Sequence, residues 1–281
     1  MCAPFVIEEV RQELSRRGFI AAIAGTAAAA AIAPAASFAQ TAAAAKPLRL
    51  AKGFRDIHDL THTYSSKLPV FPSFRPLQVT PKFSIAKDGF FASELTLDEH
   101  TGTHMDAPMH FIPGAVSADR LPVDRFVAPL CVISIAARAA KDADATLTVD
   151  DILAWEKAHG RIPAGAFVAM HSGWDARVPN PASFINRDAA GKDHAPGFGG
   201  EAANYLVKQR DIVGVGTDTL SLDMTAAGGS AAHVAFLGAG KYGIELLANL
   251  TQVPPSGATV IIGGPKHEGA SGGPTRVYAV V

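Results

Sequence analysis

Apolar positions along the chain follow two rhythms. Short β-branched and aromatic runs, bounded by glycine, proline or polar residues, predict strands over 91–98 (FASELTLD), 127–136 (VAPLCVISIA), 166–171 (AFVAMH), 211–216 (DIVGVG), 258–263 (ATVIIG) and 276–281 (RVYAVV). Three- and four-residue spacing predicts helices over 149–159 (VDDILAWEKAH), with Thr148 as N-cap, over 199–209 (GGEAANYLVKQ), and near 241–250 around Glu245. Strands and helices alternate in the second half, which predicts an α/β domain on a mixed sheet. No repeat, linker or composition break interrupts the pattern from Arg55 onward, so residues 55–281 are expected to form one domain.

The first forty residues obey another rule. Arg16 and Arg17, in SRRGFI, precede a weakly apolar run, AAIAGTAAAAAIA, closed by Pro34 and the small-residue sequence Ser37, Phe38, Ala39. That order predicts an export signal of the twin-arginine type over 1–39, cleaved after Ala39, with residues 40–54 as a flexible lead-in. A bilayer span needs about 20 strongly apolar residues, and this alanine-dominated run is too short, so no stable membrane anchor is expected after cleavage. The expected location is the periplasm, and the twin-arginine translocation machinery is the expected partner during export. Cleavage removes Cys2 and leaves Cys131 alone, so no intrachain disulfide is expected, and Cys131, within LCVISIAA, reads as core.

Composition narrows the partners. With 48% hydrophobic residues, 18% charged residues and a formal net charge of -1, the chain has material for a sizeable core. It shows neither a basic stripe for nucleic acid nor an acidic tail. Small molecules and copies of itself remain.

Candidate chemistry concentrates in HTGTHMDAPMHF, residues 100–111. His100 and His104 are four apart, but Gly102, the β-branched Thr101 and Thr103, and Pro108 disfavour a helix. In an extended segment His100, His104, Asp106 and His110 are separated by even numbers and project to one side. A single histidine is more often a structural residue than a ligand; four polar groups on one side favour a site, with a hydrogen-bonded polar turn as the alternative. His171 and Ser172 are adjacent but lie in no nucleophile-elbow pattern, which argues against a serine hydrolase.

The same segment resembles the cyclase family of metal-dependent hydrolases, which includes bacterial kynurenine formamidases and isatin hydrolases: it matches every fixed position of the form H-x-G-T-H-x-D-x-P-x-H. DLTHTYSSKLPVFP (59–72), HSGW (171–174), GTDTLSLD (216–223) and GASGGPTRVYAV (269–280) resemble further family segments, so the likeness covers nearly all of 56–281. The resemblance implies a mixed-sheet, swivelling β/β/α fold and a homodimer or homotetramer. It implies a first metal on His100, His104 and Asp106, and a second that shares Asp106 and adds His233 and Glu245. His110 is implied as the proton donor and acceptor, and Phe71, Phe74 and Trp174 as aromatic walls for a flat substrate. Asp218 and Asp223 read as turn or subunit-contact residues, and His58, His62, His159, His194 and His267 as surface or structural ones.

Imidazoles and carboxylates without thiolate suit Mn²⁺ or Zn²⁺, in one or two sites. The expected activity is hydrolysis of a C–N bond in a small aromatic or cyclic amide such as isatin. An arylformamide, N-formylkynurenine, is the alternative substrate, and a periplasmic metal- or ligand-binding protein without turnover is the alternative of another class. A retained base at His110 argues against the last.

Overall fold

The computed structural model describes residues 55–281; the expected signal and lead-in fall outside them. The strands are β1 (Ile57–Asp59), β2 (Gln78–Phe83), β3 (Ala92–Thr96), β4 (His104–Asp106), β5 (Val127–Ser134), β6 (Thr146–Leu147), β7 (Ala166–His171), β8 (Gly197–Phe198), β9 (Ile212–Thr217), β10 (Tyr242–Glu245), β11 (Ala258–Gly263), β12 (Gly272–Pro274) and β13 (Arg276–Val280). The longer helices are α1 (Val149–His159), α2 (Gly200–Gln209) and α3 (Ala231–Gly238).

Among the described residues a nine-stranded sheet runs in the order β1-β13-β11-β5-β7-β9-β10-β4-β12. Its centre, β5-β7-β9-β10, is parallel, and the flanking pairs are antiparallel. α1, α2 and α3 each lie between successive parallel strands, as crossover connections require. The domain is therefore α/β with a mixed sheet, as the alternation predicts.

Both faces of the sheet centre are buried, and period-2 alternation sorts the side chains between them. Leu130 and Val132 of β5 and Phe167 and Ala169 of β7 point to one core, shared with Met105, Ile244 and Val260. Cys131, Ile133, Val168 and Met170 point to the other, where Ile152 and Trp155 of α1, Leu206 of α2 and Phe236 of α3 pack. Cys131 is thus a core residue, and burial, followed by the charge of Glu156, pushes its thiol up to about 12. α1 begins with the predicted cap: Thr148 Oγ1 accepts from Asp151 N at 3.3 Å, and Asp151 Oδ2 accepts from Thr148 N at 2.8 Å.

One predicted element is different. The segment around Glu245 is strand β10, not a helix, and the helix lies earlier, at α3. Tyr242, Gly243 and Ile244 pair in parallel with β9 while Gly243 to Glu245 pair with β4, so both edges are satisfied and all four residues of β10 are buried. A strand buried on every side has no exposed polar positions to mark its period. Gly214 of β9 accommodates the ring of Tyr242, which lies 2.6 Å from where a Cβ would stand.

β2 and β3 form a separate hairpin outside the main sheet. Val79, Phe83 and Leu95 on its strands and Ile85, Phe90 and Phe91 in its connection are exposed.

Candidate metal centre and active site

β4 is the base of the site. It lies between β10 and β12, with Glu245 opposite His104 and Gly243 opposite Asp106 on one side, and Pro274 opposite His104 and Gly272 opposite Asp106 on the other. Opposed residues of an antiparallel pair project to the same face, so strand register alone puts Glu245 beside His104: His104 Nε2 is 3.3 Å from Glu245 Oε2 and 3.4 Å from Asp106 Oδ1. From α3, His233 Nε2 comes within 3.4 Å of Asp106 Oδ2 and 3.1 Å of Glu245 Oε1. All four residues are buried.

The even-spacing expectation holds for His104 and Asp106, which are strand neighbours. His100 and His110 arrive by other routes. Gly102, at φ 67°, turns the chain between His100 and His104, and a side chain there would run into Tyr64 and Leu68. His110 closes the short 3-10 turn Pro108–His110 and stacks on His100, with centroids 3.8 Å apart. His100 has both ring nitrogens engaged, with Asp106 Oδ1 at 2.6 Å and Ser271 Oγ at 3.0 Å. Ligation by His100 therefore requires exchange of one of these partners.

Electrostatics bind the cluster together. Burial alone would favour neutral His104, but Asp106 and Glu245 outweigh it and push its pKa up to about 10. His233 is likewise held well above the usual imidazole value, against burial, by Asp106, Asp223 and Glu245. Burial opposes the charge of Asp106, yet the hydrogen bond with His100 and the imidazoles of His104 and His233 beside it keep the carboxyl well below its usual range. His110 goes the other way: burial dominates and takes it down to about 4, so it is neutral at pH 7.

The residues fit a divalent cation. His104 Nε2 and Asp106 Oδ2 are buried with no hydrogen-bond partner, and a buried polar atom left so costs about 1–3 kcal/mol. His104 Nδ1 donates to the carbonyl of Gly102 at 2.7 Å, which in the neutral ring leaves the lone pair on Nε2, facing the carboxylates. Ligand atoms of His104, Asp106 and Glu245 lie within 4.8 Å of one another, as do those of His100, Asp106 and His110. A third cluster, His171, Asp175 and Asp218, is less open, because Asp218 already accepts from Ser172 N and Oγ, Gly173 N and Trp174 N. Asp218 orders that turn, in line with its sequence reading.

Above the cluster is a cavity of about 250 Å³. Phe71 and Phe74 line it, and Phe74 stacks over His100 with centroids 6.1 Å apart. Trp174 is elsewhere: it is buried with Leu68, Phe184 and Leu246, donates from Nε1 to the carbonyl of Phe184 at 2.8 Å, and is absent from the cavity lining. Its apolar ring and single donor are both satisfied in the core, which is why it does not face the cavity. Sequence reasoning missed Phe111, Leu220, Ser221 and Ser230, which complete the lining. Phe111 directly follows His110 and stacks on His233 at 4.5 Å, so its place in the motif was the available signal. The serines carried none.

Buried imidazoles converging on carboxylates, two of whose facing atoms lack partners, beneath a small aromatic-walled cavity, set out the working parts of a metal-dependent hydrolase. The Cyclase family model matches residues 58–224, and the chain belongs to that family. It is 37% identical to the isatin hydrolase of Roseibium aggregatum over 252 residues, 83% of this chain and 94% of that protein. It is 28% identical to the kynurenine formamidase of Salinibacter ruber over 221 residues, 78% of this chain and 94% of that one. Its fold is similar to that of isatin hydrolase A from Ralstonia solanacearum, with a TM-score of 0.76, 37% identity, and coverage of 80% of this chain and 92% of that one. The protein is a divalent-metal-dependent enzyme, a hydrolase acting on C–N bonds other than peptide bonds. Among the described residues no helix is long and apolar enough to cross a membrane.

Proposed function

We propose that the enzyme opens the ring of a small cyclic aromatic amide of the isatin type. The observation that carries this reading is the placement of the partnerless His104 Nε2 and Asp106 Oδ2 beneath a cavity walled by Phe74 and Phe111. A flat bicyclic amide suits stacking between such rings. Similarity to isatin hydrolases over most of both chains supports it further.

In this reading His100, His104 and Asp106 would hold a first metal, and Asp106, His233 and Glu245 would hold a second. Imidazole and carboxylate ligands without thiolate suit Mn²⁺ or Zn²⁺. When bound, a divalent ion would lower the pKa of a coordinated water to about 7 and polarise a carbonyl. His110 takes the proton of the attacking water and passes it to the departing nitrogen. Its depressed pKa leaves the ring unprotonated at neutral pH, free to accept a proton, and its stacking on His100 holds it beside the metal ligands. Phe71 and Phe74 position the substrate from the open side.

The proposal extends to setting. The paired arginines and apolar run support export to the periplasm by the twin-arginine machinery. The exposed apolar hairpin of β2 and β3 supports a homodimer or homotetramer, since such patches on a stable protein mark contact surfaces.

The test is incubation of the Mn²⁺- or Zn²⁺-loaded protein with isatin and, in parallel, with N-formylkynurenine, following each chromophore. Ring opening of isatin is expected. Turnover of N-formylkynurenine alone would reassign the enzyme as an arylformamidase, and turnover of neither would refute the proposed substrate class.

A further inference from the structure

Asp223 has no part in the reaction as set out above, yet its surroundings give it a task. It is buried, and its carboxylate receives three N–H groups from the start of α3. Oδ1 accepts from Ala232 N at 2.7 Å; Oδ2 accepts from His233 N at 3.2 Å and from His233 Nδ1 at 2.6 Å. One carboxylate therefore caps the helix and grips the imidazole that the helix carries. With Nδ1–H committed to Asp223, the neutral ring presents its lone pair at Nε2, the atom within 3.4 Å of both Asp106 and Glu245.

The position of Asp223 is itself fixed by backbone. Its main chain bridges to Phe198 of β8, and Gly197 lies so close that a Cβ there would stand 2.1 Å from Met224 N and 2.2 Å from the carbonyl carbon of Asp223. Only a glycine fits. The neighbouring residue secures the other candidate ligand: Leu222 N donates to Glu245 Oε1 at 2.9 Å. The Leu222–Asp223 pair thus orients a histidine from a helix and a glutamate from a strand, two elements that adjoin in sequence but approach the site from different layers.

We infer that Asp223 is a positioning residue, which fixes the tautomer and aim of His233 toward the metal that His233 and Glu245 share. The inference rests on the metal-ligand reading of His233 proposed above. Carboxylates that hold ligating histidines in this way typically contribute about 10- to 100-fold in metal affinity.

The experiment is a double-mutant cycle on the full chain, with Mn²⁺ affinity measured calorimetrically for wild type, Asp223→Ala, His233→Ala and the double variant. Circular dichroism is recorded on each, and Asp223→Asn is carried alongside as a variant that keeps the shape of the group and loses its charge. Asp223→Ala is expected to weaken Mn²⁺ binding about 10- to 100-fold, and Asp223→Asn by less. In the His233→Ala background the Asp223 substitution should add less than about 2-fold, because a residue acting through another has no effect once that residue is gone. An equal loss in both backgrounds, or unchanged affinity in folded Asp223→Asn and Asp223→Ala, overturns the positioning role. Unchanged affinity in His233→Ala itself overturns the ligand reading, and the inference with it.

Discussion

Glu245 stands directly across the β4–β10 ladder from His104, and the register that pairs them leaves glycine on both sides of Asp106. Gly243 and Gly272 are not equivalent in what they spare. A Cβ at Gly243 would meet Leu222 Cδ1 at 2.7 Å, the tip of a side chain that can rotate; one at Gly272 would meet the carbonyl oxygen of Met105 at 2.2 Å and His100 Cε1 at 2.6 Å. Gly243→Ala should therefore cost at most about 1–3 kcal/mol, the usual range for overpacking. Gly272→Ala should cost more and displace His100 as well, lowering activity beyond its effect on stability. Thermal midpoints and kcat/KM of the two variants check the order; the reverse order would contradict this register.

His110 is expected to matter for turnover and not for metal loading. Its imidazole is lowered to about 4 mainly by burial, so the neutral base persists as pH falls from 7 and is lost only near 4. His110→Ala should reduce kcat by about 10²–10⁴, the usual contribution of a general acid–base group. Bound metal per chain should stay as in wild type. Mass-spectrometric metal analysis beside steady-state kinetics separates the two, and a fully active variant would remove His110 from the mechanism.

How much of this was legible in the sequence depended on the kind of constraint. The β5 and β7 runs announce themselves because both their faces are apolar, and α1 because Thr148 and Asp151 cap it locally. β10 was not readable: Tyr242 to Glu245 is a strand because β9 and β4 lie on either side of it, a nonlocal cause absent from local spacing. The candidate ligands were legible as residue types, through the spacing of the histidine-rich segment and its likeness to a family. Their geometry was not, since His100 arrives by way of Gly102 and His233 by way of a helix that was not predicted. Asp223 reads as a turn or subunit-contact residue because nothing nearby in sequence shows that α3 folds back onto it.

Trp174 and Phe74 should part company when truncated. Trp174 fills the core beside Phe184 and Leu246, so Trp174→Ala should destabilise by about 3–5 kcal/mol. Phe74 lines the cavity and stacks on His100; Phe74→Ala should forfeit about 0.5–1.5 kcal/mol of substrate stacking, seen as a rise in KM of about 2- to 12-fold with little change in stability. Denaturant titration and steady-state kinetics on both variants give the comparison. A KM effect confined to Trp174→Ala would place the substrate elsewhere.

Metal and protons should compete for the same atoms. In the metal-free protein Asp106 and Glu245 overcome burial and raise His104 to about 10, so its imidazole carries a proton at pH 7, and His233 is raised well above its usual value in the same direction. A metal binds only the neutral ring, and its binding must release those protons. The sign for stability follows from folded pKa values above the unfolded value of about 6.5: protonation stabilises the metal-free fold fully below about pH 6.5, and the His104 contribution is lost as pH rises through about 10. The thermal midpoint of the metal-free protein should therefore fall between about pH 7 and pH 10, while that of the metal-loaded protein falls less. Over about pH 7–9 the apparent Mn²⁺ affinity should rise about 10-fold per pH unit for each proton displaced, hence about 10- to 100-fold per unit for one or two protons. Calorimetric titrations in buffers of different ionisation enthalpy count those protons directly. A Mn²⁺ affinity independent of pH, with no proton released, would mean that His104 and His233 are not the groups the metal replaces.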